Sequence, residues 1–469
     1  MTSRHIEIRP DNVNSDATIS FKAGFPVLSF TIQAQNAVLD PRTIRINGAV
    51  QFNKGYNPDP GPRAGEPAPI LFADVAAGDA ITMDNRLGVF ALWDQLVVRH
   101  VKSQQIIEHI RHYNKYMSAY QGLSSSIQDK VGHLNQTTLC MPNEDAMFNN
   151  VMCSDAGQPN GPARLNEFSC HLPSGVLASG QIINLMETSF GGLRIEIHLS
   201  PDSNCLFART GIITADNAQA HYVLSNLSLS AEVMDIPEDQ MATMAAQTSG
   251  ALEFNTISSL YTSYNTSNAQ IQFDLGLKSL QSCFMTFAPS ENINTLSGNA
   301  LASTYPSQEG ANGVLVGFDR VQFLKGGSKY PLDYDVVANR VLPQNQSIAG
   351  AQGGIFNVSD PQLALQFAQA VIPEYMTERT ALGPMNQNRN YTMGIGAGIE
   401  TYKKQINGGP LFGIGMRYSQ FNSGQDFSTE QWGVSLNNTL TTDHPISVYI
   451  FFKNKTTLVY NESGVQILN

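Results

Sequence analysis

Charged side chains are scarce in this sequence. Asp, Glu, Lys and Arg make up 14% of its 469 residues, against roughly a quarter in an ordinary soluble protein. Asn, Gln, Ser, Thr and Gly fill the deficit. So neutral a polar surface suits a protein that packs against copies of itself better than a freely diffusing enzyme. Clustered positive charge is also missing. No Lys/Arg run exceeds Lys403-Lys404 and the net charge is −11, which leaves no electrostatic footprint for nucleic acid. The cysteines, Cys140, Cys153, Cys170, Cys205 and Cys283, are odd in number and contain no CxxC pair. A zinc knuckle or redox site is thereby excluded, and buried free thiols in a reducing compartment are expected. The opening MTSRHIEIRPDN has no apolar centre, and nowhere do about 18 apolar residues run together. Neither a signal peptide nor a transmembrane segment is expected.

What is present is strand grammar. In Tyr222–Val233, Leu227, Leu229, Ala231 and Val233 alternate with Ser228, Ser230 and Glu232, the mark of a half-buried strand. Asp235, Pro237, Glu238 and Asp239 then read as the start of a short helix through about Ala246. This stretch lies at the chain midpoint and is read as a connector between two domains. Other strands are expected at Val27–Ala34, Thr43–Phe52, Leu96–Val101, Leu193–Leu199, Ala269–Phe273, Ser279–Phe287, Val314–Leu324, Leu411–Tyr418, Trp432–Leu440 and Ile446–Lys453. A last pair is Thr457–Tyr460 with Val465–Leu468. Asn47-Gly48 could instead turn a hairpin inside Thr43–Phe52. Ile106, Ile110, Tyr113, Met117 and Tyr120 recur at helical spacing and predict a helix from Ile106. A second helix is predicted from Asp360-Pro361, with Leu363, Phe367, Ala370 and Val371 as its stripe. Asn53–Pro69, Pro142–Arg164, Leu342–Phe356 and Leu382–Gly398 read as loops. Each half thus runs strands, loop, helix, loop, strands, which argues for β-sandwiches. The expected organisation is an arm over residues 1–20, a first sandwich over 21–240, a linker over 241–250 and a second sandwich over 251–469.

No constellation reads as catalytic. His109 and His112 would share a helix face, but HExxH is absent and a third ligand is not in view. Arg194, Glu196 and His198 form a row that strand alternation alone produces on any sheet with one wet side. Gly394–Gly398 lacks the spacing and the Lys-Ser/Thr of a phosphate loop. Asp333 and Asp335 flank Tyr334 in what reads as a solvated turn. Catalytic, cofactor-binding and metal residues are all expected to be none, and so is any cofactor. The chain is read as no enzyme.

Five stretches together resemble the double jelly-roll major capsid proteins of the adenovirus and tailless-phage lineage, closest to the virophage and polinton-like virus branch. They are LGVFALWDQLVVRHVKSQQIIEHIRHYNKYMSAY (Leu87–Tyr120), YVLSNLSLSAEVMDI (Tyr222–Ile236), LGLKSLQSCFMTFAP (Leu275–Pro289), GFDRVQFLKGGSKYP (Gly317–Pro331) and HPISVYIFFKNKTTLVYNESGVQIL (His444–Leu468). The resemblance implies an all-β fold of two tandem eight-stranded jelly rolls with a few short helices in the connections. It also implies a homotrimer of pseudo-sixfold outline, tiling an icosahedral shell beside penton and minor capsid proteins. The location implied is the virion, assembled inside the host cell. No sequence-specific contact with nucleic acid is expected. The alternatives are a minor capsid or spike protein of the same class, or a β-sandwich carbohydrate-binding or glycoside-processing protein. The last would need paired carboxylates in a cleft, usually aromatic-lined, whereas the chain has only Trp93 and Trp432.

Overall fold

The computed structural model describes the chain apart from residues 58–67, 72–80, 126–131, 141–165, 209–212, 244–249, 302–307, 310–314, 331–339, 342–356, 373–412 and 439–444 and some shorter interruptions. Sixteen strands form the framework of two sandwiches, and shorter strands extend their sheets. The first uses β1 (Ser3–Ile8), β2 (Val27–Gln33), β3 (Arg45–Asn57), β4 (Trp93–His100), β5 (Ile106–Ile110), β6 (Asn166–His171), β7 (Gly192–Leu199) and β8 (His221–Asp235). The second uses β9 (Ala251–Tyr264), β10 (Asn268–Phe273), β11 (Leu277–Pro289), β12 (Phe318–Lys325), β13 (Ser328–Lys329), β14 (Gly413–Arg417), β15 (Trp432–Asn438) and β16 (Ile446–Asn461).

Strand order settles the architecture. In the first half one sheet runs β1-β8-β3-β6 and the other β2-β7-β4-β5. In the second half the sheets run β9-β16-β11-β14 and β10-β15-β12-β13. All these pairings are antiparallel. Adding eight to each label of the first half gives the second. Interleaving the first and last strands of eight in one sheet, with the second and seventh in its partner, is the jelly roll. The expected fold of two tandem jelly rolls is therefore borne out.

Each roll has its own core. Leu193, Ile195, Ile197 and Leu199 of β7 point inward and are buried, while Arg194, Glu196 and His198 alternate outward. In the second roll Trp432 stands edge-on to Phe452, with ring centroids 4.9 Å apart, and its indole N–H donates to the Tyr418 hydroxyl at 3.0 Å. The described cysteines, Cys140, Cys170, Cys205 and Cys283, are buried and free.

Four expectations are corrected. The polar arm over residues 1–20 contains β1, which pairs Ser3–Ile8 with Leu229–Met234 and sets Ile6 and Ile8 against the core. It is the first strand of the first roll, and its exposed alternate residues hide the pattern. The helix expected from Ile106 begins only at Tyr113 (α1, Tyr113–Ser124). Ile106–Ile110 is instead β5, because pairing with β4 supplies hydrogen bonds that outweigh a helical spacing also compatible with one strand face. Asn47-Gly48 makes no turn, since β3 runs straight through it. The loop expected over Asn53–Pro69 is partly sheet, with Ala68–Leu71 paired to Asn53–Asn57. The second helix (α2, Pro361–Val371) forms as expected. Of the helix expected after Asp235, Asp239–Met241 is helical, and 244–249 lie outside the described residues, as do the loops at Pro142–Arg164, Leu342–Phe356 and Leu382–Gly398.

Deleting residues 1–8 would strip β8 of its neighbour over Leu229–Met234 and uncover Ala231 and Val233. The melting temperature should fall by roughly 5 °C or more, measured by circular dichroism. An unchanged midpoint would return β1 to the status of an arm.

Candidate functional site

The second roll's sheet β9-β16-β11-β14 is buried on both faces through its middle, over residues 280–288 of β11 and 447–454 of β16, while β9 keeps exposed residues such as Tyr261. Along β16, Val448, Ile450 and Phe452 enter the roll's own core, while Tyr449 and Phe451 between them join the core of the first roll. Their partners come from α1. Tyr116 lies 5.9 Å from Phe451 and 6.2 Å from Phe284, and Phe284 lies 6.1 Å from Phe367 of α2. Each such ring contributes roughly 1.5–3 kcal/mol by leaving water. Helix α2 reaches the sheet closely because Gly413 and Gly415 lie beneath it. A Cβ on Gly413 would stand 2.2 Å from the Phe367 ring. Ser282 Oγ donates to the Ala370 carbonyl at 2.6 Å, and Lys453 Nζ donates to that of Val371.

Polar contacts fix the register between the rolls. Glu108 of β5 is buried, and its carboxylate accepts from the amides of Gly175 and Val176 at 3.0 Å. It also accepts from Ile257 of β9, in the other roll, at 2.9 Å. Burial pushes the Glu108 carboxyl above its ordinary range, against the opposing pull of these amides. Nearby, the Glu253 amide donates to Gln181 Oε1 at 3.1 Å, and Ser259 Oγ donates to the Arg111 carbonyl at 2.8 Å. On the other side of the seam Asn299 Nδ2 donates to Asp84 Oδ2 at 2.8 Å, and Arg86 pairs with the same carboxylate. Burial alone would raise Asp84, but the Arg86 charge and these hydrogen bonds outweigh it and hold the carboxyl below its ordinary value.

A cavity of about 270 Å³ lies within this seam, lined among others by Asp94, His112, Lys115, Tyr261, Leu301 and Tyr449. His112 has φ 54°, the left-handed turn between β5 and α1, and its ring lies 4.9 Å from that of Tyr449. Lys115 is 5% exposed and its ammonium sits 4.7 Å from the Tyr449 ring centroid. Burial drags its pKa down to about 7, against the attraction of Asp84 and Asp94.

The structure disperses the residues weighed for chemistry. His109 lies on β5 and bonds Gln95 Oε1 at 2.9 Å through Nε2, whereas His112 precedes α1, so no helix face carries both. Arg194 and Glu196 pair at 3.2 Å, Arg99 reaches Glu196 at 3.0 Å, and Arg194 donates to Ser29 Oγ. The row is a cross-strand ion ladder. Asp333, Asp335 and Gly394–Gly398 lie outside the described residues. Sequence reading missed Glu108, whose signal is a single acid inside the apolar run Ile106–Ile110.

No family model and no curated protein matches this sequence. Solved structures do. A quasi-atomic model of the PBCV-1 virus capsid matches over 100% of this chain and 96% of its own, at 10% identity and a TM-score of 0.53. The Faustovirus major capsid protein matches over 98% of this chain and 90% of its own, at 9% identity and a TM-score of 0.51. At these identities the likeness is one of fold. The chain has the double jelly-roll fold of those capsid proteins, over its whole length.

Two predictions test the seam. Glu108→Ala leaves the buried amides of Val176 and Ile257 and the half-buried amide of Gly175 without their acceptor and should cost roughly 2–5 kcal/mol in denaturant unfolding. Glu108→Gln should recover part of this. The second concerns Lys115, which faces Asp84, Asp94, His112 and Tyr449. Between pH 7 and its unfolded value near 10.5 the native chain has released a proton that the unfolded chain still holds. Stability from this group therefore rises with pH across that window, by at most about 1.4 kcal/mol per pH unit. The stability of wild type relative to Lys115→Met should increase from pH 7.5 to 9.5, where neither His112 nor Tyr449 changes charge. A flat difference would contradict the buried amine.

Proposed function

We propose that this chain is a viral major capsid protein whose trimers form the blocks of an icosahedral shell. The observation that carries the reading is the pair of complete rolls with one strand order, locked side by side by a sheet whose middle is buried on both faces. Residues 241–250 serve as the linker that leads from β8 of the first roll to β9 of the second. Three chains then supply six similar wedges to a closed ring. The fold likeness to capsid proteins supports this, and so does the neutral polar surface, which permits wet, well-packed contacts on every side. His109, His112, Arg194 and Glu196 are engaged in cross-strand and inter-roll contacts, which supports a structural role over an enzymatic one. The partners are other copies of the chain, with penton and minor capsid proteins at the special positions of the shell. The location is the virion, with assembly inside the host cell.

Light scattering coupled to size exclusion is the test. The expected mass is about 153 kDa, three times the 51.1 kDa chain, and negative-stain images should show hexagonal blocks. A chain that stays monomeric at high concentration would refute the proposal.

A further inference from the structure

The junction inside the chain is asymmetric, and it leaves one unused copy of each surface it employs. On the second roll it uses the edge formed by the first strand, β9, which among the described residues pairs only with β16. The amides of Glu253 and Ile257 and the hydroxyl of Ser259 leave that edge for acceptors on the first roll. On the first roll it uses the edge formed by the fifth strand, β5, with its neighbours Arg111, Gly175 and Gln181. The unused counterparts are β1, the first-strand edge of the first roll, and β13, the fifth-strand edge of the second. Among the described residues β1 pairs only with β8, and β13 only with β12.

The sheet behind β1 also differs from its counterpart in the way an unfilled interface would. In the second roll the outer face is apolar and covered by Tyr116 and its neighbours. In the first roll the equivalent face of β1-β8-β3-β6 is a polar hollow of about 630 Å³, lined by His5, Glu7, Asn47, Ser228 and Ser230 among others. Asn47 donates to Ser230 Oγ at 3.1 Å and accepts from Ser169 Oγ at 2.7 Å, so the face is built and ordered while remaining open. An unpaired strand edge beside such a face is a template for another chain. Its acids are Glu7 and Glu167, which line the hollow, and Glu232, directly opposite His5 in the register. The β12–β13 edge carries Lys329 and Lys325, charges of the opposite sign, with Lys325 also 3.7 Å from Glu430 of its own roll.

We propose that chains associate head to tail by repeating the in-chain junction, with the β1 edge and its polar face receiving the Lys325–Tyr330 edge of a second copy. The inference rests on the capsid reading and adds the residues that meet. A contact between two different surfaces closes into a ring or runs on as a filament. Six rolls of one topology, joined at six alike junctions, give the ring. The three junctions inside chains are apolar and permanent, and the three between chains are polar and formed on assembly.

Cross-linking tests this directly. A chain carrying Glu7→Cys and Lys329→Cys together is treated with a short bismaleimide, while the described natural thiols are buried. Linked dimers and trimers are expected from the double variant and not from either single variant. Independently, Glu7→Lys with Glu232→Lys should weaken association by about tenfold or more, and adding Lys329→Glu should restore part of it, with the circular dichroism of each chain unchanged. If the wild-type chain is a trimer but the double-cysteine variant yields no linked product and the charge reversals leave association unchanged, this assignment is overturned and the capsid reading stands. A wild-type chain that never associates overturns both.

Discussion

One sheet whose middle is dry on both faces holds this molecule together. Tyr449 and Phe451 alternate along β16 with Val448, Ile450 and Phe452, so one strand serves two cores at once. The first roll cannot withdraw without exposing Phe284, Phe451 and Tyr116 to water. Nor can it slide, because the Glu108 carboxylate accepts amides from both rolls and Asn299 reaches Asp84 across the seam. Apolar burial gives the junction its strength, and the buried polar groups give it a single register. The two rolls are consequently one rigid part.

The same physics explains how much could be read from the sequence. Where one face of a strand is wet, alternation is visible, and β7 and β8 are legible residue by residue. Where both faces are dry, the strand reads as an unbroken apolar run, as in SVYIFF within β16 and SCFMTFA within β11. Those runs are recognisable as strands, yet they also mark the junction, a message that emerges only when each is set against its alternating counterpart in the other roll. β1 escaped notice because it is a short edge strand whose exposed residues mask its pairing. β5 looked helical because Ile106 and Ile110 share a face of either element. Glu108 was invisible for the same reason. As part of a helix it reads as a solvated acid, and only β5 carries it into the seam.

Comparing the two rolls brings sequence, structure and function together. They share a strand order and differ in one face. β16 and β11 turn Tyr449, Phe451 and Phe284 outward because α1 of the first roll and α2 cover them, while β8 and β3 present Ser228, Ser230 and Asn47. Two rolls of one topology present two of every surface, and the junction covers one of each pair; the proposed assembly uses the others. The scarcity of charge belongs to this arrangement. On the proposed reading, surfaces that meet copies of the chain carry amides and hydroxyls, with a few charges to set orientation.

Scanning calorimetry of the native protein tests the central claim most directly. If the two-faced sheet makes the rolls one cooperative unit, unfolding is a single transition, and the calorimetric and van't Hoff enthalpies of the chain agree. Glu108→Ala should lower that transition without splitting it. Two separate transitions in the wild-type chain, one roll melting while the other persists, would contradict the account.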